Sequence, residues 1–165
     1  MRVPIRKGGE FTNLKPDPNI TQKKYDELVK KLKVLKLRQP ILAKEVMFQA
    51  EGGDFSENAG YQAVKWQLRG LNQKILDLEE QIKMAVIIPP SKPDGTIQLG
   101  SNIEIKLDGK TKSYLILGSE EVDLAKGIIS YRSPLGVSLM GRKAGERFKV
   151  VLGEREVLCE IIKVG

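Results

Sequence analysis

The sequence predicts an α+β fold in which a helical hairpin precedes a small antiparallel sheet with one short helix. Two observations support this prediction. Residues 28–49 and 61–85 carry apolar side chains at alternating steps of three and four, and only a glycine-containing turn separates the two segments. After the proline-rich stretch at 89–95 the apolar period changes to two, which is typical of strands.

The first segment predicts one side of an antiparallel coiled coil. Thr21 precedes it and is a suitable N-cap residue. Pro40 removes the hydrogen bond to the Lys36 carbonyl, so we expect a kink in this helix and not its end. The seam contains five apolar residues and two glutamines: Leu28, Leu32, Leu35, Gln39, Leu42, Val46 and Gln49.

The second segment keeps the alternation without a proline, and its seam is Tyr61, Val64, Leu68, Leu71, Ile75, Leu78, Ile82 and Ala85. Gly52 and Gly53 supply the backbone freedom that a reversal of direction needs, so the two helices become antiparallel neighbours. Residues 21–50 would span about 45 Å at about 1.5 Å per residue. An arm of this length carries its connecting turn far from the rest of the protein.

The remaining signals divide the chain into an irregular extension at 1–17, the hairpin at 18–88, a linker at 89–98 and a sheet domain at 99–165. Asp108-Gly109 predicts a β-hairpin turn. Ser133 followed by Pro134 predicts the N-cap and first turn of a short helix, which Gly141 ends. Strands are expected at 103–107, 114–117, 128–131, 148–152 and 157–164.

Composition limits the chemistry. The net charge of +7 favours anionic partners such as nucleic acid or nucleoprotein. The chain has no histidine, which excludes Ser–His and Cys–His nucleophiles and histidine metal sites. Cys159 is the single cysteine and we expect it to be a buried small hydrophobe. No membrane-length apolar run and no secretory signal are visible, so a cytoplasmic, monomeric protein is expected.

The turn between the helices holds two carboxylates, Asp54 and Glu57, at a spacing of three. Carboxylate oxygens at this spacing can ligate one hard divalent cation, although two of them leave most of an octahedral Mg²⁺ shell to other ligands. The same spacing also matches a capping box, in which Asp54 and Glu57 start the second helix. Spacing alone favours capping, whereas Phe55 has little local core to fill and favours a contact outside the chain.

Several motifs occur in an order that resembles the bacterial Gre transcript-cleavage factors. The hairpin turn, Gly53-Asp54-Phe55-Ser56-Glu57-Asn58-Ala59 followed by Tyr61, is similar to the signature of that family. The resemblance covers about residues 18–165, and its further motifs are Arg38-Gln39-Pro40, Glu120-Glu121-Val122-Asp123, 129–135 and 139–146.

The resemblance implies a coiled coil followed by an FKBP-like domain that docks on RNA polymerase while the coiled coil enters the secondary channel. Asp54 and Glu57 would then assist catalysis by holding Mg²⁺ together with the polymerase, and no ion is expected to bind tightly to the free protein. Ser56 and Asn58 would support the turn near the RNA 3′ end. The implied role is an accessory one: stimulating the polymerase to cleave backtracked RNA.

The chain departs from the family pattern at Gly60, where an acidic residue is usual, and this predicts weaker metal affinity. Lys65, Arg69 and Lys74 could contact the RNA 3′ end, although a solvated outer face is the expected role of each lysine. Phe48 and Trp66 lie off the seam, and packing at the root of the arm is expected over contact with a partner.

Two alternatives remain open at this point. A channel-occupying homologue would inhibit polymerase, and the intact Asp54/Glu57 pair argues against it. A coiled-coil adaptor with an FKBP-like domain would bind partners without any role in RNA cleavage, because fold alone does not confer an activity.

Overall fold

The computed structural model describes residues 17–51, 59–90 and 95–165. A short strand precedes the two long helices, and a second short strand follows them. The elements in this first part are β1 (Asn19–Ile20), α1 (Gln22–Ala50), α2 (Ala59–Met84) and β2 (Val86–Ile87). The second part contains β3 (Asn102–Leu107), β4 (Lys110–Leu117), β5 (Ile128–Ser130), α3 (Pro134–Leu139), β6 (Arg147–Leu152) and β7 (Arg155–Val164).

The local signals at the ends of α1 are confirmed. The Thr21 hydroxyl accepts a hydrogen bond from the Lys24 amide at 3.2 Å and caps the helix. The helix continues through Pro40, as predicted, and ends at Ala50. With 29 and 26 residues, α1 and α2 are about 44 and 39 Å long.

The seam between α1 and α2 shows that the helices are antiparallel. Leu28, near the start of α1, packs with Leu78 near the end of α2. Leu42, closer to the end of α1, packs with Val64 near the start of α2. The polar lapse at Gln39 is satisfied, because its side chain donates to Oδ1 of Asn72 at 2.8 Å. A partly buried amide is thus paired across the seam.

A parallel two-stranded ribbon, which the sequence did not predict, closes the base of the hairpin. Asn19 pairs with Val86 and Ile20 with Ile87. Ile20 is buried against Leu28 and the base of α2. The chain segments entering and leaving the hairpin are therefore held side by side.

The second part is a five-stranded sheet with the order β5-β4-β3-β7-β6. All neighbouring pairs are antiparallel except β4 and β5, which are parallel. The expected antiparallel sheet is therefore confirmed for four strands and wrong for β5. The chain crosses between β4 and β5 through two 3₁₀ turns, Ser119–Glu121 and Leu124–Lys126, and these turns allow the parallel arrangement.

The turns of the sheet domain follow the sequence prediction, and Cys159 is buried as expected. Asp108 and Gly109 both have positive φ, at 45° and 84°, as a tight hairpin turn between β3 and β4 requires. Ser133 caps α3 by accepting from the Gly136 amide at 3.0 Å. The core side chains are Ile97, Ile103, Ile105, Ile116, Ile129, Leu135, Leu139, Val150, Cys159 and Ile161.

Candidate functional site

The residues assigned to the hairpin turn, Asp54, Ser56, Glu57 and Asn58, lie outside the described residues, and their roles remain predictions. The structure does describe the helices that lead into and out of this turn. Because α1 and α2 are antiparallel, the end of α1 and the start of α2 lie at the end of the hairpin opposite the β1–β2 ribbon.

The donor chemistry of the turn fits magnesium in part. Asp54 and Glu57 offer hard carboxylate oxygens, which Mg²⁺ prefers, but a complete octahedral shell needs further ligands. Within residues 17–51, 59–90 and 95–165, no group of three or more His, Cys, Asp or Glu could hold a metal ion.

The first turns of α2 carry cations over aromatic rings. Nζ of Lys65 lies 5.3 Å from the ring centroid of Tyr61, and the Arg69 guanidinium carbon lies 5.9 Å from that of Trp66. Lys65, Arg69 and Gly60 are all exposed. These contacts orient two positive charges on the part of α2 that follows the turn, as an anionic ligand would require.

The packing role expected for Phe48 and Trp66 is wrong. Phe48 is 72 % exposed and Trp66 is 65 % exposed. Both lie on the half of the hairpin nearer the turn, where the described part of each helix packs on the other helix along the seam. A two-helix arm has one seam, and side chains outside it find no second layer to cover them.

A buried carboxylate at the other end of the hairpin joins it to the sheet domain. The Asp17 side chain is fully buried, and its Oδ2 accepts from the Ser119 amide at 2.9 Å. Its Oδ1 accepts from the backbone amide and the side-chain amide of Asn19, both at 3.1 Å. Nε of Arg132 lies 3.6 Å from Oδ2, and the Tyr131 hydroxyl lies 3.4 Å from Oδ1.

The hydrogen bonds of Asp17 control its protonation. Burial alone raises the pKa of this carboxyl, but the backbone amides of Ser119 and Asn19 and the Asn19 side chain stabilise the charged form. Together they hold the pKa of Asp17 below its ordinary value. The group is therefore a fixed negative charge at neutral pH.

A second carboxylate reaches the hairpin from the sheet domain. Glu121 accepts from the Thr21 amide at 2.7 Å and from the Thr21 hydroxyl at 2.6 Å. It thus sits at the N-terminus of α1, where the helix dipole favours negative charge. Asp17 and Glu121 form a reciprocal contact, called here the junction latch, in which each part of the protein supplies one carboxylate to the other.

Sequence reasoning missed the junction latch. Asp17 lies in the stretch predicted to be an irregular extension, and Glu121 lies in an acidic turn that no local pattern links to the hairpin. The partners are about 100 residues apart in the chain, and no periodicity links them. An available signal was Asp17 between Pro16 and Pro18, where an extended backbone can aim a short carboxylate at neighbouring amides.

Comparison with known proteins gives consistent results over both parts. The family model for the N-terminal domain of transcription elongation factors matches residues 19–87, and the GreA/GreB C-terminal model matches residues 92–165. Transcription elongation factor GreA of Treponema pallidum (strain Nichols) is 35 % identical over 149 residues, covering 88 % of this chain and 92 % of the relative.

GreA of Helicobacter pylori (strain ATCC 700392 / 26695) is 38 % identical over 144 residues, covering 85 % of this chain and 88 % of the relative. A looser likeness, with a TM-score of 0.40 and 22 % identity, relates the structure to GreA factor homolog 1 of Thermus thermophilus, covering 89 % of this chain and 97 % of that one. Among the described residues, no helix is long and apolar enough to cross a membrane. The two matched domain models and the GreA relatives show that the chain belongs to the GreA/GreB family of transcription elongation factors, which act with RNA polymerase.

Proposed function

We propose that this elongation factor inserts its hairpin into the secondary channel of RNA polymerase and stimulates endonucleolytic cleavage of backtracked RNA. One observation carries the proposal: the turn holding Asp54 and Glu57 connects two packed antiparallel helices of 29 and 26 residues. Each helix is about 40 Å long, and a hairpin of this length can carry two carboxylates at its turn deep into a channel.

The chain's own residues then have defined tasks. Asp54 and Glu57 present carboxylate oxygens to a shared cation site, and Ser56 and Asn58 position water or RNA beside them. A magnesium ion held there supplies Lewis-acid activation of water and neutralises charge during the in-line displacement at phosphorus. The remaining ligands come from the polymerase, so the protein is an accessory to the polymerase's reaction and not an enzyme by itself.

The capping interpretation of Asp54 and Glu57 is compatible with this role. A carboxylate at the start of α2 is stabilised by the helix dipole before polymerase is bound. On binding, the same oxygens are available for the shared cation, because capping hydrogen bonds are worth only about 1 kcal/mol. The positive groups on α2, Lys65 and Arg69, are then close enough in sequence to meet the RNA 3′ end.

The test uses stalled, backtracked elongation complexes with end-labelled RNA. Wild-type protein should shorten the transcript, and Asp54→Ala or Glu57→Ala should reduce the cleavage rate by on the order of 10²-fold, the typical cost of removing a group that stabilises a transition state. Glu51→Gln is the matched control, since Glu51 is an exposed acid just before the turn and should retain full activity.

Binding to polymerase is measured in parallel by competition with labelled wild-type protein. The two turn variants should compete as well as wild type. Equal cleavage by wild type and both variants would contradict the proposed role of the turn. Inhibition of synthesis without cleavage would identify a channel-occupying inhibitor, and absence of any effect on polymerase would identify an adaptor.

A further inference from the structure

Helix α1 carries a second row of large apolar side chains, away from the seam with α2. This row, called here the outer stripe, consists of Val34, Leu37, Ile41 and Phe48, which are 62, 64, 65 and 72 % exposed. Their spacing of three, four and seven places them on one face of a helix. At 100° per residue, the centre of this face lies roughly 130° around α1 from the seam.

The outer stripe differs from the seam in burial and not in pattern. Leu28 and Leu42 in the seam are each 6 % exposed because α2 covers them. The outer stripe has the same heptad spacing and no cover within the described residues. A helix with apolar rows on two faces is typical of a helix that packs against partners on both sides.

A groove between the two helices adjoins the outer stripe. It has a volume of about 440 Å³ and an apolar floor that includes Leu35, Leu42 and Leu71. Arg38 and Lys74 lie on its rim, and both are exposed. Arg38 lies between the groove and the outer stripe, so the two apolar regions are neighbours on one side of the hairpin with a cation between them.

The charge around this surface is one-sided. Helix α1 contains eight Lys or Arg against three Asp or Glu, whereas α2 contains four against three. Lys33 and Lys44 follow one border of the outer stripe, and Lys30 continues its line one turn before Val34. The acidic residues of α1 are Asp26 and Glu27 near its start and Glu45 near its end.

These cations have no ion-pair partner among the residues that the structure describes. Among the described residues, the α1 lysine in an ion pair is Lys36, which pairs with Glu79 of α2. Lys30, Lys33, Arg38 and Lys44 make no ion pair within that part of the chain. Two copies of this face would bring like charges together, which disfavours self-association.

We propose that the outer stripe and the adjoining groove are a docking surface for a protein surface that offers apolar side chains bordered by carboxylates. Because the chain acts with RNA polymerase, this partner surface is the wall of the channel that the hairpin enters. The assignment rests on the proposed function, in which the hairpin enters the secondary channel. The outer stripe spans about 21 Å of α1 and would hold the half of the hairpin that leads to the turn.

The test measures the Kd for core RNA polymerase by competition. Leu37→Glu and Ile41→Glu each place a carboxylate in the outer stripe, and each should raise Kd by about tenfold or more. Leu76→Glu is the matched control, because Leu76 is 59 % exposed on α2 outside the groove, and its Kd should stay within about twofold of wild type. All three side chains are exposed, so thermal unfolding should be unchanged.

The charge requirement has its own measurement. Lys44→Glu should weaken binding and make the affinity less sensitive to salt, because it removes an attraction to carboxylates. Lys83 is an exposed lysine in the last turn of α2, away from the outer stripe, and Lys83→Glu should leave the salt dependence as it is in wild type. An unchanged salt dependence in Lys44→Glu would contradict the acidic partner.

Several outcomes would overturn the inference. Outer-stripe variants that bind polymerase as tightly as Leu76→Glu would remove the docking surface. Wild-type dimers in sedimentation that Leu37→Glu dissolves would make a second copy the occupant. Binding to anionic vesicles that Leu37→Glu abolishes, with polymerase affinity unchanged, would make it a membrane surface.

Failure of the proposed function gives a different result. If wild type binds polymerase and the outer-stripe variants bind less tightly, but none stimulates cleavage, the docking surface stands and the cleavage role fails. If the outer-stripe variants cleave normally at saturating protein but bind with a raised Kd, both stand. Asp54→Ala, which should lose cleavage and keep wild-type affinity, completes the separation.

Discussion

The junction latch makes Asp17→Asn the most direct test of how the hairpin is attached to the sheet domain. The substitution keeps the size and shape of the side chain and removes its charge. Asn has one carbonyl oxygen where Asp17 has two acceptors. Whichever orientation the amide takes, its NH₂ group faces a backbone donor in the partly buried junction, either the Ser119 amide at 2.9 Å or the Asn19 amide at 3.1 Å.

The magnitude follows from the groups left without a partner. One partly buried N–H loses its acceptor, at a cost of about 1–3 kcal/mol, and a charge-assisted hydrogen bond becomes a neutral one. The lost attraction to Arg132 adds less than about 1 kcal/mol, because that side chain is 48 % exposed. We expect Asp17→Asn to lower the free energy of unfolding by about 2–4 kcal/mol at pH 7.

The assay is urea unfolding followed by far-UV circular dichroism, which reports on α1 and α2. Glu154→Gln is the control, because Glu154 is exposed in the turn before β7 and should change stability by less than about 0.5 kcal/mol. A difference between Asp17→Asn and wild type as small as that of the control would refute the calculation. It would mean that the buried carboxylate contributes no net stability.

The pH dependence provides an independent check. The pKa of Asp17 is lower in the folded protein than its ordinary value of 3.8. Its contribution is therefore fully present above about pH 4 and is lost as the pH falls toward the folded pKa. The difference in stability between wild type and Asp17→Asn should be constant from pH 7 to pH 5 and shrink below pH 4. A difference that grew on acidification would contradict the sign of the shift.

Two glycine substitutions should act in opposite directions. Gly118→Ala places a Cβ against the Asn19 carbonyl and near the Asp17 carboxylate, and it should lower the free energy of unfolding by about 2 kcal/mol or more. Wild-type stability in urea unfolding would contradict this, because it would mean that Asn19 of β1 can move away from Gly118 without cost. Gly70→Ala meets nothing within 4 Å and replaces glycine inside α2, so it should raise the unfolding temperature, with a gain of up to about 1 kcal/mol; a loss in calorimetry would show that the groove beside Gly70 cannot accept a methyl group.

Much of the fold could be predicted because its signals are local. Thr21 and Ser133 cap helices through hydrogen bonds to amides three residues ahead. Asp108-Gly109 forms its turn through backbone angles that these two residue types accept. The polar residue Gln39 does not interrupt the seam, because its side chain donates a hydrogen bond to Asn72 on the facing helix.

In the candidate site, too, the local motif could be predicted from the sequence and the exposure of its neighbours could not. Asp54 and Glu57 were identified from a short motif and their position between two heptad segments, and they remain a prediction that the cleavage assay tests. The packing role of Phe48 was wrong because the sequence shows that a side chain is apolar and not whether another element covers it. Exposure is a property of the assembled structure.

The sequence by itself determined the two helices, their shared seam, the acidic turn between them and the strands of the second part, since each arises from residues within a few positions of one another. The tertiary structure decided the parallel pairing of β4 with β5 and the β1–β2 ribbon. It also decided the junction latch, in which Asp17 and Glu121 meet partners about 100 residues away. Such contacts depend on which surfaces meet once the local elements have formed, and hydrogen bonding of a buried carboxylate then fixes how the hairpin is joined to the sheet domain.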